Sequence, residues 1–210
     1  MADDVAIRAI RAGDVDAAAD LLARAFQEDP GALIVEPDPT LRHEADRTLF
    51  APVVRSAIPF GRVLVAATDD GRILGVATFL PAGHATASDE EMAAAGLTEA
   101  IAAVPEAAAR MEPMVGFLEE LHDRAVDGPH ARLEFFGVDP AAQGSGVGSR
   151  LMAAGHATID ANGERCYLET FTTKNVAFYE KRGYRVVIEG TVPGTETPVW
   201  GLVRERRQSA

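Results

Sequence analysis

Apolar and polar positions change period several times along the chain, and each change predicts an element. Residues 5–11 alternate and are rich in aliphatic side chains, which predicts a first strand. From Asp14, a capping residue, the apolar positions Val15, Ala18, Leu21, Leu22, Ala25 and Phe26 recur at helical spacing to about Gln27, with Pro30 and Gly31 expected to end that helix. A second helical stretch covers 41–58, where Pro52 would restrict or kink it. Val63–Thr68 and Ile73–Leu80 read as strands joined by the hairpin signal "DDGR". The Ala- and Glu-rich stretch 88–126, broken at Gly96, Pro105 and Pro113, predicts two or three helices. It carries no chemistry of its own and reads as scaffold or as one wall of a variable pocket. Then follow a strand ending at Val138, a helix over about 148–162, a strand over 165–171, a short helix over 175–182 stopped by Gly183, and closing strands over 184–192 and 199–204. The order β-α-α-β-β-(helices)-β-α-β-α-β-β, without a repeat or composition break, predicts one mixed α/β domain over 1–210.

The segment "LEFFGVDPAAQGSGVGSRLM" (133–152) runs a strand through a Pro-containing bend into alternating glycines just ahead of a helix. Unpaired N–H groups at a helix start, with no Cβ atoms beside them, suit a phosphate or pyrophosphate. A nucleotide-triphosphatase loop requires a lysine after its glycines, and none follows here. A dinucleotide fingerprint requires G-x-G-x-x-G early in a repeated βαβ series, whereas Gly144, Gly146 and Gly148 come late and after an antiparallel hairpin. The third pattern, [QR]-x-x-G-x-[GA] after a strand, is met by Gln143, Gly146 and Gly148.

That pattern resembles the pyrophosphate-binding motif of the GNAT N-acetyltransferase superfamily, which uses acetyl-CoA. A second segment, "YLETFTTKNVAFYEKRGYRVV", is similar to that superfamily's strand–Asn–helix–Tyr–Gly–aromatic run, with Asn175 and Tyr179 four apart on one helical face. "AIRAIRAGDVDAAADLLARAFQEDP" and "FYEKRGYRV" give the layout a likeness to the puromycin N-acetyltransferase type, the stretch 88–126 being least family-like. The resemblance implies a central, mostly antiparallel sheet with helices on both faces and two parallel strands, ending near Val138 and Thr170, that splay apart around the pantetheine arm. It implies backbone pairing of that arm with Phe136, Gly137 and Val138. The pyrophosphate would lie on the N–H groups of Gln143, Gly144, Ser145, Gly146, Val147, Gly148 and Ser149. A side chain at Gly146 or Gly148 would collide with phosphate or tilt the helix. Asn175 would hydrogen-bond near the pantetheine and Phe178 would pack along the coenzyme.

The implied chemistry is direct attack of a neutral amine on the thioester. Tyr179 is the expected general acid toward the departing thiolate, although a tyrosine at this spacing also suits a core. Glu134 and Glu169 are the candidate bases, with a structural ion pair as the alternative for each. Asp29, between the first two helices, is a candidate attractor of a cationic amine. His84 and His130 flank strands and read as solvated or structural, and no histidine spacing suits a metal.

Composition narrows the partners. A net charge of −12 disfavours nonspecific binding to nucleic acid or anionic membrane, and the basic tail "RERRQ" reads as a solvated terminus. The single cysteine, Cys166, excludes an internal disulfide and opens a predicted strand, as a buried structural thiol would. No apolar run approaches a membrane span, and "MADDVAIRAI" lacks the basic-then-apolar order of a signal peptide, so a cytoplasmic protein is expected. The expected partners are acetyl-CoA and an amine of a small molecule; homodimers are common in the superfamily. Two other functions fit the same motifs: a non-catalytic acyl-CoA sensor and a protein or peptide N-acetyltransferase.

Overall fold

The computed structural model describes residues 5–60, 62–84 and 87–206. Along the chain lie β1 (Val5–Ala9), α1 (Val15–Ala25), α2 (Pro30–Val35), α3 (Pro39–Ala57), β2 (Val63–Thr68) and β3 (Ile73–Leu80). Then come α4 (Asp89–Ala94), α5 (Leu97–Ala103), α6 (Pro105–Ala125), β4 (Ala131–Val138) and α7 (Val147–Ala161). The chain closes with β5 (Cys166–Thr170), α8 (Thr173–Glu180), β6 (Tyr184–Thr191) and β7 (Pro198–Arg204).

Seven strands make one sheet in the order β1-β2-β3-β4-β5-β7-β6. Every neighbouring pair is antiparallel except β4 and β5, which run parallel. Apolar side chains cover both faces. On one, Leu21, Leu22, Phe50 and Val54 of α1 and α3 pack on Val63, Val65, Val76 and Leu80. On the other, Leu151, Met152, Ile159 and Tyr179 of α7 and α8 pack on Phe79, Leu133, Leu168 and Leu202. Among the described residues no helix is long and apolar enough to cross a membrane.

Several local expectations give way to stronger local chemistry. The helix from Asp14 stops at Ala25, and Pro30 starts α2 instead of ending α1. Pro at the first helical position gives up only an N–H that has no partner anyway, and the Asp29 carboxylate caps the new helix by accepting from Gly31 N at 2.9 Å. The Asp14 carboxylate does not cap α1; it turns back to Arg11 N at 2.8 Å and the Arg8 guanidinium at 2.6 Å. Gly96 and Pro105 separate α4, α5 and α6, but α6 runs through Pro113. Pro113 and Ala109, whose carbonyl loses its intrahelical donor, are both exposed, so the missing bond falls on the solvent side, where its loss costs little. The tail is not wholly solvated: Arg204 is buried and forks onto Asp160 at 2.6 and 2.8 Å. Arg207 and Gln208 of that tail, like residues 1–4, lie outside the described residues.

Close packing of α7 on the sheet is tightest at Gly155, where an added Cβ would sit 2.4 Å from the buried Phe79 ring. Alanine in a helix interior gains about 1 kcal/mol in propensity over glycine, but overpacking a closed core costs ~1–3 kcal/mol. Gly155→Ala is therefore expected to lose about 1–2 kcal/mol in urea unfolding. A stabilised variant would show that the ring swings aside freely.

Candidate functional site

The sheet has a break in its middle. β4 and β5 pair only at Ala131↔Cys166 and Arg132↔Tyr167, and beyond these the ladder stops. The rest of β4 finds strand partners on its β3 side alone, leaving the stretch Phe136, Gly137 and Val138 without a ladder toward β5. β4 is also irregular. Thr78 pairs with Phe135 and Phe79 with Leu133, so Glu134 is an extra residue, a β-bulge.

The bulge changes which face each side chain takes. Before it, Ala131 and Leu133 pack toward α7, and Arg132 faces α6 through Glu119. After it, Phe135 packs among Phe26 and Phe50 of the α1–α3 side, while Phe136 and Val138 lie against Gly148 of α7. Glu134 thereby joins Arg132 on the α6 side.

Four charged groups meet there. Arg132 donates to Glu119 at 2.6 Å and to Glu169 at 3.1 Å. Glu134 Oε2 is buried with no hydrogen-bond partner. Burial pushes the Glu134 carboxyl up to about 7; the Arg132 charge opposes this, and Glu119 and Glu169 reinforce it. Burial also raises Glu169, against the pull of Arg132. The Tyr167 ring stacks on His122 at 4.7 Å, and His122 Nε2 lies 2.6 Å from His130 Nε2.

At the end of β4 the glycine loop turns into α7. Gly144 and Gly146 have φ of +78° and +90°, a backbone that L side chains rarely adopt, and Gly146 is the N-cap of α7. The first helical bond is Arg150 N to Gly146 O, which leaves the N–H groups of Val147, Gly148 and Ser149 without intrahelical acceptors. Gly148 answers to a different constraint. A Cβ there would lie 3.2 Å from Val138 and 3.3 Å from Phe136, so its smallness seats the helix on the strand. Gln143 reaches back to Val138 O at 3.3 Å, and the Ser145 hydroxyl donates to Ala142 O. Ser149 Oγ accepts from Arg182, whose guanidinium lies 3.4 Å over the Phe178 ring.

Across the break, α8 begins at a Thr172 cap that accepts from Asn175 N. Phe178 stacks on Phe136 at 5.7 Å, joining α8 to β4. Tyr179 is buried beside Phe178 and Tyr184. Burial, with the charge of Asp29 added, raises its phenol further above the ordinary value, so it stays protonated at neutral pH. Asp29 is itself raised by burial. Cys166 is fully buried, its thiol pushed up to about 11 by burial, so it is a structural thiol.

The expected residues therefore fall into two groups. Phe136, Gly137, Val138, Glu134 and the 143–149 loop border the break in the sheet, and Phe178 reaches Phe136 there; Asn175 lies in the first turn of α8, and Tyr179 is packed into the core beneath. Glu169 borders the break as well, but its carboxylate is held by Arg132. His130 is buried against His122, and exposed His84 lies by Phe60. Arg132, Glu119 and His122 were not singled out in the sequence; they are 13 or fewer residues apart on α6 and β4, with no motif spacing to mark them. Asp46 was missed too. It is buried on α3 with Oδ2 unpartnered, and burial pushes it up to about 7, Asp29 and Glu36 adding to the effect of their neighbouring charge. Among the described residues no cluster of three or more His, Cys, Asp or Glu could hold a metal ion.

The family model for the acetyltransferase (GNAT) domain matches residues 59–186. Among solved structures, the chain is similar to a histone acetyltransferase HPA2 and related acetyltransferase from Corynebacterium glutamicum, with TM-score 0.67, 21% identity and 99% of each chain covered. It is similar to an agmatine N-acetyltransferase, with TM-score 0.66, 21% identity, and 96% of this chain and 99% of that one covered. A polyamine N-acetyltransferase from Drosophila melanogaster, which forms N-acetylagmatine, matches with TM-score 0.61, 19% identity, and 96% of this chain and 100% of that one covered.

The unpartnered carboxyl has a consequence for stability. With its proton held up to about 7 in the fold against the ordinary 4.5, Glu134 binds protons more tightly folded than unfolded. Its contribution to stability is then full below about 4.5 and is lost as pH rises through about 7. Glu134→Gln is expected to be more stable than the parent by about 1–3 kcal/mol at pH 8, the gain vanishing near pH 4. Urea unfolding at the two pH values checks this, and a less stable variant at pH 8 would mean that the carboxylate is paired.

Proposed function

The chain belongs to the GNAT acetyltransferase family, and from that premise we propose that it transfers the acetyl group of acetyl-CoA to a primary amine of a small molecule by direct attack. The observation that carries this reading is the two-pair β4–β5 ladder opening beside the glycine-capped start of α7. An unmatched strand edge suits the amides of a pantetheine arm, and free N–H groups at the positive end of a helix suit a pyrophosphate. Phe136, Gly137 and Val138 take the first role, and the loop from Gln143 through Gly144, Ser145, Gly146, Val147 and Gly148 to Ser149 takes the second, with Val147, Gly148 and Ser149 as its free donors, since the N–H groups of Gln143 and Ser145 already donate to Pro140 O and Ala142 O at 3.4 Å. Asn175 and Phe178 flank the arm from α8.

In the reaction the amine nitrogen bonds the thioester carbon and the C–S bond breaks. The nitrogen's surplus proton passes to the Glu134 carboxylate, directly or through one water. The sulfur leaves as a thiolate and takes a proton from the Tyr179 hydroxyl, which burial keeps neutral. A covalent acetyl-cysteine step has no support, since Cys166 is fully buried with its thiol raised. Asp29, whose charge bears on Tyr179 while its carboxylate caps α2, is the group that would draw a cationic amine on this reading. The similarity to agmatine and polyamine acetyltransferases agrees with such an acceptor.

Release of free thiol from acetyl-CoA, measured over a panel of small amines, amino acids and peptides, tests the reading. Coenzyme binding without turnover across the panel would favour an acyl-CoA sensor, and turnover of peptides alone a peptide acetyltransferase. Tyr179→Phe is expected to lower kcat by about 10²-fold, the scale of general acid catalysis, with acetyl-CoA binding unchanged. An unaltered kcat would remove Tyr179 from the acid role.

A further inference from the structure

We propose that Glu169 and Glu119 are positioning residues: by occupying Arg132 they keep it from capturing Glu134, and so set the pH at which Glu134 can take a proton from the amine. The inference rests on Glu134 being the base, as read above.

Arg132 and Glu134 are two residues apart on β4 and face the same side. A guanidinium beside a buried carboxylate ordinarily captures it, because an unpaired buried charge is far more costly than a paired one. Here that does not happen, and Glu134 Oε2 has no partner. The geometry gives the reason. One amino group of Arg132 is held by Glu119 of α6 at 2.6 Å and the other by Glu169 of β5 at 3.1 Å. The Arg132 and Glu169 side chains are only 9% and 8% exposed, which limits reorientation. Three carboxylates therefore share one cation, and the third is left over.

The charges bearing on Glu134 are Arg132 on its own strand, Glu119 from α6 and Glu169 from β5. Behind them, Tyr167 and His122 act on Glu169, and His130 is bonded to His122. Neutralising Glu169 or Glu119 leaves Arg132 less compensated, two residues from Glu134. The carboxylate form of Glu134 is then favoured, and it ionises at lower pH. A base that ionises earlier is active at lower pH, although a weaker one on the plateau.

The test is the pH dependence of kcat/KM, with acetyl-CoA and the best amine of the panel, in the parent, Glu169→Gln, Glu119→Gln and Glu134→Gln. A ¹³C-glutamate NMR titration without substrate runs alongside, and thermal unfolding verifies each fold. The acidic limb of the parent is expected near pH 7, matching the carboxyl held up to about 7. In Glu169→Gln and Glu119→Gln it should move down by about one pH unit, together with one carboxyl resonance that Glu134→Gln removes. A folded Glu169→Gln that is slower, with limb and resonance unmoved, would reduce Glu169 to a structural ion pair and overturn the proposal. If Glu169→Gln does not fold, Glu119→Gln decides in the same way, the Glu119 side chain being 34% exposed and more tolerant of change. A parent-like acidic limb in Glu134→Gln would instead overturn the base assignment itself.

Discussion

Continuity between the two halves of the sheet passes through two residue pairs, Ala131↔Cys166 and Arg132↔Tyr167. A few backbone hydrogen bonds contribute about 1 kcal/mol each, too little to hold β1–β4 against β5–β7. The holding is done elsewhere. The α7 crossover buries Leu151, Met152 and Ile159 against residues of both halves. Arg62 and Glu164, 2.6 Å apart with 13% of each side chain exposed, tie the start of β2 to the start of β5. The opening can exist because the packing beneath it does not depend on the ladder above it.

The ionic cluster stands at the point where the ladder ends. Arg132 is the last residue of β4 paired with β5, and it reaches Glu169 on the strand that is about to diverge. Burying three carboxylates around one guanidinium is a poor way to stabilise a fold, since desolvation offsets most of the attraction. Retaining it is easier to understand as chemistry than as architecture. The proposed reaction calls for a group that accepts a proton near neutral pH, and the carboxyl left over in that cluster is held up to about 7.

How much was legible in the sequence follows from the range of the forces. The hairpin strands Val63–Thr68 and Ile73–Leu80 have the bounds their alternation and "DDGR" predict, because turn and period are local. The glycine loop and the Asn175–Tyr179 helix were legible for the same reason, whereas the sheet class followed from the family resemblance. The 26–38 region was not: Pro30 as a stop and Pro30 as a start look alike until Asp29 is seen to cap. The bulge left no mark, since Glu134 is extra only relative to β3, a partner 54 to 61 residues earlier in the chain. Arg204 gave no sign of its Asp160 partner, nor Glu169 of its bond from Arg132, because each pair is far apart in sequence.

Glu134, as the extra residue of the bulge, has a lineage consequence. Without position 134, the series Ala131, Arg132, Leu133, Phe135, Phe136, Gly137 and Val138 alternates regularly between the two faces. The strand would keep its core contacts and lose only the carboxylate. The buried carboxylate and the packing pattern are thus written on separate residues of one strand. A single codon more or less in this strand adds or removes that buried carboxylate while leaving the alternation of the other positions intact.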